Sequence, residues 1–123
     1  MSPVEKSVLL IDDDFEYARL LAIHLAHFGY AVETVHNGKD GVERAKQKPD
    51  IILLDVIMPV IDGYEVCRRL QDNKETKDIP LIMLTGRDDI EQKLKDLKLK
   101  VNGYINKPFD IKELVNLMTK VLK

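Results

Sequence analysis

Four short apolar runs in this sequence end in polar residues able to do chemistry. Asp12-Asp13-Asp14 follows Val8–Ile11, and Asp55 follows Ile51–Leu54. Thr85 follows Leu81–Leu84, and Asn106-Lys107 follows Gly103–Ile105. Carboxylates brought together repel, so a crowded set either keeps a proton or recruits a cation. Oxygen-only ligands favour Mg2+, Ca2+ or Mn2+ over zinc. Mg2+ typically keeps several waters and shares its remaining positions with a phosphate. Lys107 adds a fixed positive charge and Thr85 a hydroxyl. A cation, a lysine and a hydroxyl around a carboxylate suit phosphoryl transfer, where charge on three equatorial oxygens must be stabilised. Asp55 is then the natural nucleophile, because a carboxylate can attack phosphorus to give an acyl phosphate. Each residue alone also has an ordinary reading. Asp14 suits a helix cap, Asp12 and Asp13 solvated loop acids, Thr85-Gly86 a turn and Lys107-Pro108 a loop. Their joint occurrence, in this order, is what singles them out.

The positioning elements are legible in the pattern of apolar residues. Val8–Ile11, Ile51–Leu54 and Leu81–Leu84 are too short for helices and apolar on both alternating faces, as strands covered on both sides must be. Ala31–Val35 alternates more and suits a strand nearer an edge; Gly103–Ile105 is a weaker fifth strand. Between them, 15–28 places Ala18, Leu21, Leu25 and Phe28 at helical spacing, with Gly29 placed to end the helix in a left-handed cap. Further helices are predicted over 40–48, 63–70, 88–97 and 111–122, the third capped by Asp62 and the second bounded by Pro49. Strand and helix alternating five times imply a parallel sheet with right-handed crossovers. In such open α/β sheets the site lies beyond the carboxyl ends of the strands, which is where the polar residues fall.

Composition narrows the class. A length of 123 residues suits one domain, with residues 1–6 read as a loose N-terminal arm and 7–123 as the domain. Hydrophobic residues make up 45% of the chain, enough for a core, and the formal net charge of −2 argues against bulk attraction to nucleic acid. Cys67 is the single cysteine, so neither an internal disulfide nor a multi-cysteine metal site is available. That suits a cytoplasmic location. No apolar run approaches the roughly 20 residues a membrane span needs.

Four motifs in order resemble the receiver domain of two-component response regulators, over about Ser7 to Leu122. They are Val8-Leu-Leu-Ile-Asp-Asp-Asp14, Ile52-Leu-Leu-Asp-Val-Ile-Met-Pro59 with Asp62-Gly63, Leu81-Ile-Met-Leu-Thr85, and Tyr104-Ile-Asn-Lys-Pro-Phe109. The single-domain chemotaxis-type regulators are similar in extent. The resemblance implies a flavodoxin-like (βα)5 doubly wound parallel sheet with strand order 2-1-3-4-5. It implies that Asp55 is phosphorylated by a partner histidine kinase or histidine phosphotransfer domain, within a phosphorelay. It implies Mg2+, with Mn2+ as substitute, held by Asp13, Asp55 and the Ile57 carbonyl, with Asp12 acting mainly through water. Thr85 would turn towards the phosphoryl group, Tyr104 would follow from an outward to an inward rotamer, and Lys107 would pair with a phosphoryl oxygen. The Lys107-Pro108 bond would be cis. The fourth helix, fifth strand and fifth helix would form the altered surface, read by a downstream output domain or target protein, with a phosphorylation-dependent homodimer as one form. No membrane and no direct nucleic acid contact are expected of this domain. Ile57 and Arg87 stand two residues after the acceptor and the switch hydroxyl, flanking the path of hydrolytic water, and so bear on phosphoryl lifetime.

Departures and rivals complete the reading. Lys100-Val101 stands where the family usually has Gly-Ala, so the 97–102 loop is expected to take an atypical path. Gly86 replaces a more usual alanine and is expected to leave room for Thr85 to move. His24 and His27 lack a third metal ligand nearby, His36 precedes the Asn37-Gly38 turn signal, Cys67 reads as core, and the lysine-rich stretch from Lys93 to Lys100 reads as a solvated helix face. The first rival is a receiver acting only as an unphosphorylated scaffold. Another is a Mg2+-dependent phosphatase, which would need an acid where Ile57 stands. A flavin-binding module would need a phosphate loop where the three aspartates stand. With nothing but this domain legible, the chain reads as a stand-alone receiver or a piece of a longer regulator.

Overall fold

The computed structural model describes residues 5–123. Most of the expected arm falls outside that range, and Lys6 is not part of an arm: it opens the first strand, paired with Tyr30. The chain runs β1 (Lys6–Ile11), α1 (Phe15–His27), β2 (Tyr30–Val35), α2 (Gly38–Arg44), β3 (Ile51–Asp55), α3 (Gly63–Gln71), β4 (Leu81–Thr85), α4 (Ile90–Asp96), β5 (Gly103–Asn106) and α5 (Ile111–Val121). All pairings are parallel and the strand order is β2-β1-β3-β4-β5. The fold class and the strand order inferred from the sequence are the ones observed.

Strand alternation divides the core in two. Leu9, Ile11, Ile52, Leu54, Leu81 and Met83 face one way and pack with Val66, Cys67 and Leu70 of α3 and with Ile90 and Leu94 of α4. Val8, Leu10, Ile51, Leu53, Ile82 and Leu84 face the other way, against Ala18, Leu21 and Leu25 of α1 and Leu114 and Met118 of α5. Both faces of β1, β3 and β4 are therefore dry, which is why their sequences are continuously apolar. The more alternating β2 lies at one edge and β5 at the other.

Helix ends show where local sequence competed with neighbours. Gly29 ends α1 at φ +90, a left-handed conformation that glycine adopts without Cβ strain. The second helix starts earlier than expected because the Asn37 carboxamide caps it, accepting from the Asp40 N–H at 2.7 Å. Its last turn tightens into a 3-10 segment, Ala45–Gln47, and Lys48 turns left-handed ahead of Pro49. That conformation respects the exclusion of a right-handed helical backbone before proline. The fourth helix begins at Ile90, not Asp88, and Asp89 makes no side-chain cap bond. Its carboxylate is taken instead by Arg87, with hydrogen bonds of 2.9 and 3.1 Å. After α4 the left-handed residue is Lys98, at φ 57, and not Lys100. Lys100 is spared that strain, and its N–H donates to Gln71 Oε1 at 2.7 Å. A Cβ on Gly86 would meet nothing within 4 Å, so steric room does not explain glycine there.

Gly63 locks α3 onto the end of β3. Its N–H donates to the Val56 carbonyl at 2.7 Å. A Cβ there would lie 2.5 Å from the Asp55 carbonyl oxygen and 2.7 Å from Val56 Cα. Both are backbone atoms and cannot rotate away. Gly63→Ala is expected to lower stability by about 1–3 kcal/mol, the usual cost of overpacking. Urea denaturation measures it, and an unchanged midpoint would show that α3 can slide off β3 freely.

Candidate functional site

Parallel register brings the polar strand ends into one row. Ile11 pairs with Leu54, Asp55 with Leu84 and Thr85 with Asn106, so the residues that follow β1 stand beside Asp55. Carboxylate oxygens of Asp12, Asp13 and Asp55 lie within 4.8 Å of one another. Asp13 is the most open of the three, whereas Asp12 and Asp55 are buried. Lys107 reaches in from the end of β5, with Nζ at 3.4 Å from Asp55 Oδ1 and 3.5 Å from Asp12 Oδ2. Asp14 belongs to the helix: its carboxylate accepts from the Tyr17 N–H at 3.1 Å and caps α1.

One ammonium does not satisfy these acids. Asp12 Oδ1 accepts from the Asp14 N–H at 2.9 Å, whereas the buried Oδ2 makes no hydrogen bond among the described residues and has only the long ion pair with Lys107. Burial, opposed by the Asp14 N–H and the charge of Lys107, leaves the Asp12 carboxyl above its usual range. Desolvation likewise pushes Asp55 up to about 6, against the pull of Lys107 and with repulsion from Asp12. A buried oxygen without a hydrogen bond and three convergent carboxylates form an all-oxygen donor set that fits a hard divalent cation.

The remaining predicted residues fall around this cluster. Thr85 is fully buried at the end of β4, and its Oγ1 accepts from the Arg87 N–H at 2.9 Å. The Lys107 N–H donates to the Thr85 carbonyl at 2.6 Å, extending the β4–β5 ladder to the lysine. Lys107-Pro108 is cis. Tyr104 on β5 is 39% exposed, with its ring outward. Ile57, in the loop between β3 and α3, is 62% exposed. Arg87 is drawn aside to Asp89. His24 and His27 are exposed on α1, and the three aspartates are the one group of acids, histidines or cysteines among the described residues placed so that three could share an ion. Cys67 is buried, its thiol pushed up to about 11 by that burial.

Two residues near the cluster were not anticipated. Lys107 Nζ sits 4.3 Å from the centroid of the Tyr17 ring, a cation–π contact that holds the ammonium over the acids. Desolvation and the nearby carboxylates, Asp12 first, push the Tyr17 phenol up to about 12. His36 contacts the Asp12 carbonyl from the end of β2. Both approaches depend on the packing of distant segments, and the only sequence signal was Tyr17 lying one turn beyond the acids.

Fold and site together define a receiver: a family model of the response regulator receiver domain matches residues 8–119, and the chain belongs to that family. Among similar curated proteins are the DNA-binding dual master transcriptional regulator RpaA of Synechocystis, 37% identical over 94% of this chain, and the response regulator ArlR of Staphylococcus aureus, 35% identical over 94%. The chain spans about half their length, 48% and 52% respectively. Among solved structures, the chemotaxis protein CheY4 of Vibrio cholerae superposes with a TM-score of 0.85 at 28% identity, over 95% of this chain and 98% of that one. The receiver domain of a sensor histidine kinase from Pseudomonas aeruginosa, with a magnesium ion coordinated in its active-site cleft, matches at TM-score 0.85 and 28% identity, over 96% and 98% of the chains. Among the described residues no helix is long and apolar enough to cross a membrane.

The raised Asp55 value predicts how stability depends on pH. The folded chain holds this proton up to about pH 6, whereas the unfolded chain releases it near the ordinary value of 3.8. Between the two the folded state binds more protons, so this group costs stability as pH rises through that window. Asp55→Asn is therefore expected to stabilise the metal-free protein at pH 8, by about 1–3 kcal/mol, with the gain shrinking towards pH 4. Thermal unfolding in the presence of a chelator reads this directly. A variant less stable than wild type at pH 8 would mean that the Lys107 pairing outweighs desolvation.

Proposed function

We propose that Asp55 is the phospho-acceptor of a Mg2+-dependent switch, charged by a histidine kinase or a histidine phosphotransfer domain. The observation that carries this reading is a buried carboxylate held between two further carboxylates and a lysine 3.4 Å away. Asp13, Asp55 and the Ile57 carbonyl would hold Mg2+, with Asp12 acting through water. Bound there, the ion offsets carboxylate charge and the charge on the transferring oxygens. An Asp55 oxygen forms the new bond to phosphorus while the bond from phosphorus to the donor nitrogen breaks. The electron pair returns to the donor imidazole. Asp55 must be ionised for this, which Lys107 favours. Lys107 then pairs with a phosphoryl oxygen. The domain assists its own phosphorylation and dephosphorylation and turns over no separate substrate.

Output follows from Thr85. Its hydroxyl accepts from the Arg87 N–H, so a turn of Thr85 towards a phosphoryl group would pull on or release that N–H and with it the loop leading into α4. Tyr104, now outward, would follow inward and alter the face made by α4, β5 and α5. A downstream domain or target protein would read that face. The exposed Ile57 presents an apolar branched surface that cannot orient a hydrolytic water, so the acyl phosphate would be comparatively long-lived. Arg87, held aside by Asp89, would contribute less unless phosphorylation releases it.

Acceptor and lifetime are tested together. With Mg2+ and acetyl phosphate, intact mass should show one phosphoryl group on wild type and none on Asp55→Asn. After donor removal, Ile57→Asn should lose its label several-fold faster than wild type and Arg87→Glu modestly faster; a tenfold change needs only about 1.4 kcal/mol of barrier. Equal labelling of Asp55→Asn would refute the acceptor assignment, and unchanged decay the shielding. The switch is tested by NMR around Tyr104. Thr85→Ala should accept phosphate yet show at most about half of the wild-type shift changes, since a ligand shifts an equilibrium only through contacts that differ between states. Identical shifts would remove Thr85 from the coupling.

A further inference from the structure

We propose that His36 is a positioning residue for the metal-binding turn at Asp12-Asp13. The proposal rests on the Mg2+-binding reading above and assigns to it a residue outside the acid cluster.

The β1–β2 ladder runs out at this point. Ile11 is the last residue of β1 in register, opposite Val35, and the Asp12 N–H still donates to the Val35 carbonyl at 3.0 Å. The next donor should come from the backbone beyond Val35. That backbone has already left the sheet, because Asn37 caps α2. The His36 ring takes over, with Nδ1 at 3.0 Å from the Asp12 carbonyl. A carbonyl can only accept, so the proton sits on Nδ1. The imidazole thus acts as one further rung of the ladder, at the residue that begins the acidic turn.

The same ring holds the far end of that turn. Phe15, the first residue of α1, stacks on His36 with centroids 3.8 Å apart and planes at 26°. Inside the turn, Asp12 Oδ1 accepts from the Asp14 N–H, and Asp14 caps α1. Residues 12–15 are therefore gripped at both ends by one side chain from the neighbouring strand. The carboxylates of Asp12 and Asp13 project from this short closed segment. Their separation from Asp55 then depends on a turn that cannot drift relative to the sheet. Phe15 is 66% exposed, so the stack gains little as core burial, and its consequence falls on the turn.

Outer groups of this kind typically change metal affinity by about 10–100-fold. The probe is Mg2+ alone, titrated calorimetrically into the whole chain, with the thermal midpoint of each metal-free variant measured alongside. His36→Ala is expected to weaken Mg2+ about tenfold. His36→Asn, whose amide nitrogen can occupy the place of Nδ1 but which has no ring to stack on Phe15, is expected to fall between wild type and His36→Ala, about threefold weaker than wild type. A general structural role would instead lower the midpoints without separating the two variants in affinity. Should His36→Ala not fold, Phe15→Leu removes the stack at an exposed position and should weaken Mg2+ by at least about threefold. Wild-type affinity in His36→Ala, or in Phe15→Leu where it stands in, overturns the inference, as does an Asn variant as weak as Ala. If wild type itself fails to bind Mg2+, the proposed function falls and this inference with it. If wild type binds and His36→Ala binds equally, only this inference falls.

Discussion

Two carboxylates with almost no water around them, Asp12 and Asp55, share one lysine, and the site depends on that imbalance. Charged groups leave water at a cost that only pairing and hydrogen bonding can offset. Lys107 lies at 3.4–3.5 Å from both acids, and that long ion pair is the only partner among the described residues of Asp12 Oδ2, which makes no hydrogen bond. A third carboxylate, Asp13, adds further repulsion. Such an arrangement costs folding stability. It persists where the rest of the structure fixes it, and a divalent cation bound among the acids would relieve it.

What fixes it is the sheet. Neighbouring strands lie about 4.8 Å apart, so carboxylates at matched ends of adjacent strands are forced into near contact. Register supplies the match between β1 and β3, and the layers on both faces of the sheet hold the strands against sliding. Gly63 presses the start of α3 onto the Asp55 and Val56 backbone, so the end of β3 cannot relax outward. The Tyr17 ring face lies under the Lys107 ammonium and holds it in place. Rigid surroundings keep the acids close.

The other side of the row is held by fewer bonds. Thr85 contributes its carbonyl to the β4–β5 ladder and its hydroxyl to the Arg87 N–H, so backbone and side chain serve different partners. The carbonyl bond secures the lysine while the hydroxyl remains free to exchange partners. Arg87 and Asp89 pair with each other, leaving α4 without a side-chain cap and only seven residues long. The seven-residue α4 is anchored by Ile90 and Leu94 alone, whereas α1 and α5 are longer and capped by Asp14 and Asp110.

The sequence alone determined the order of elements, the parallel sheet, the edge placement of β2, the caps at Asp14 and Asp62, and which polar residues follow which strands. Those features are local: apolar period, chain punctuation and cap chemistry act within a few residues. The family motifs added the strand order and the cis Lys107-Pro108 bond, both present in the structure. Helix boundaries were less legible, because Asp89 had two suitors and Arg87 won. For the loop after α4 the sequence indicated only an unusual path; the structure puts its left-handed turn at Lys98. Only the tertiary structure decided that His36 meets the Asp12 carbonyl across 24 residues and that Tyr17 lies under Lys107. No pattern in the chain encodes those contacts, because they arise where separately specified segments converge, and packing sets the last few ångströms of their approach.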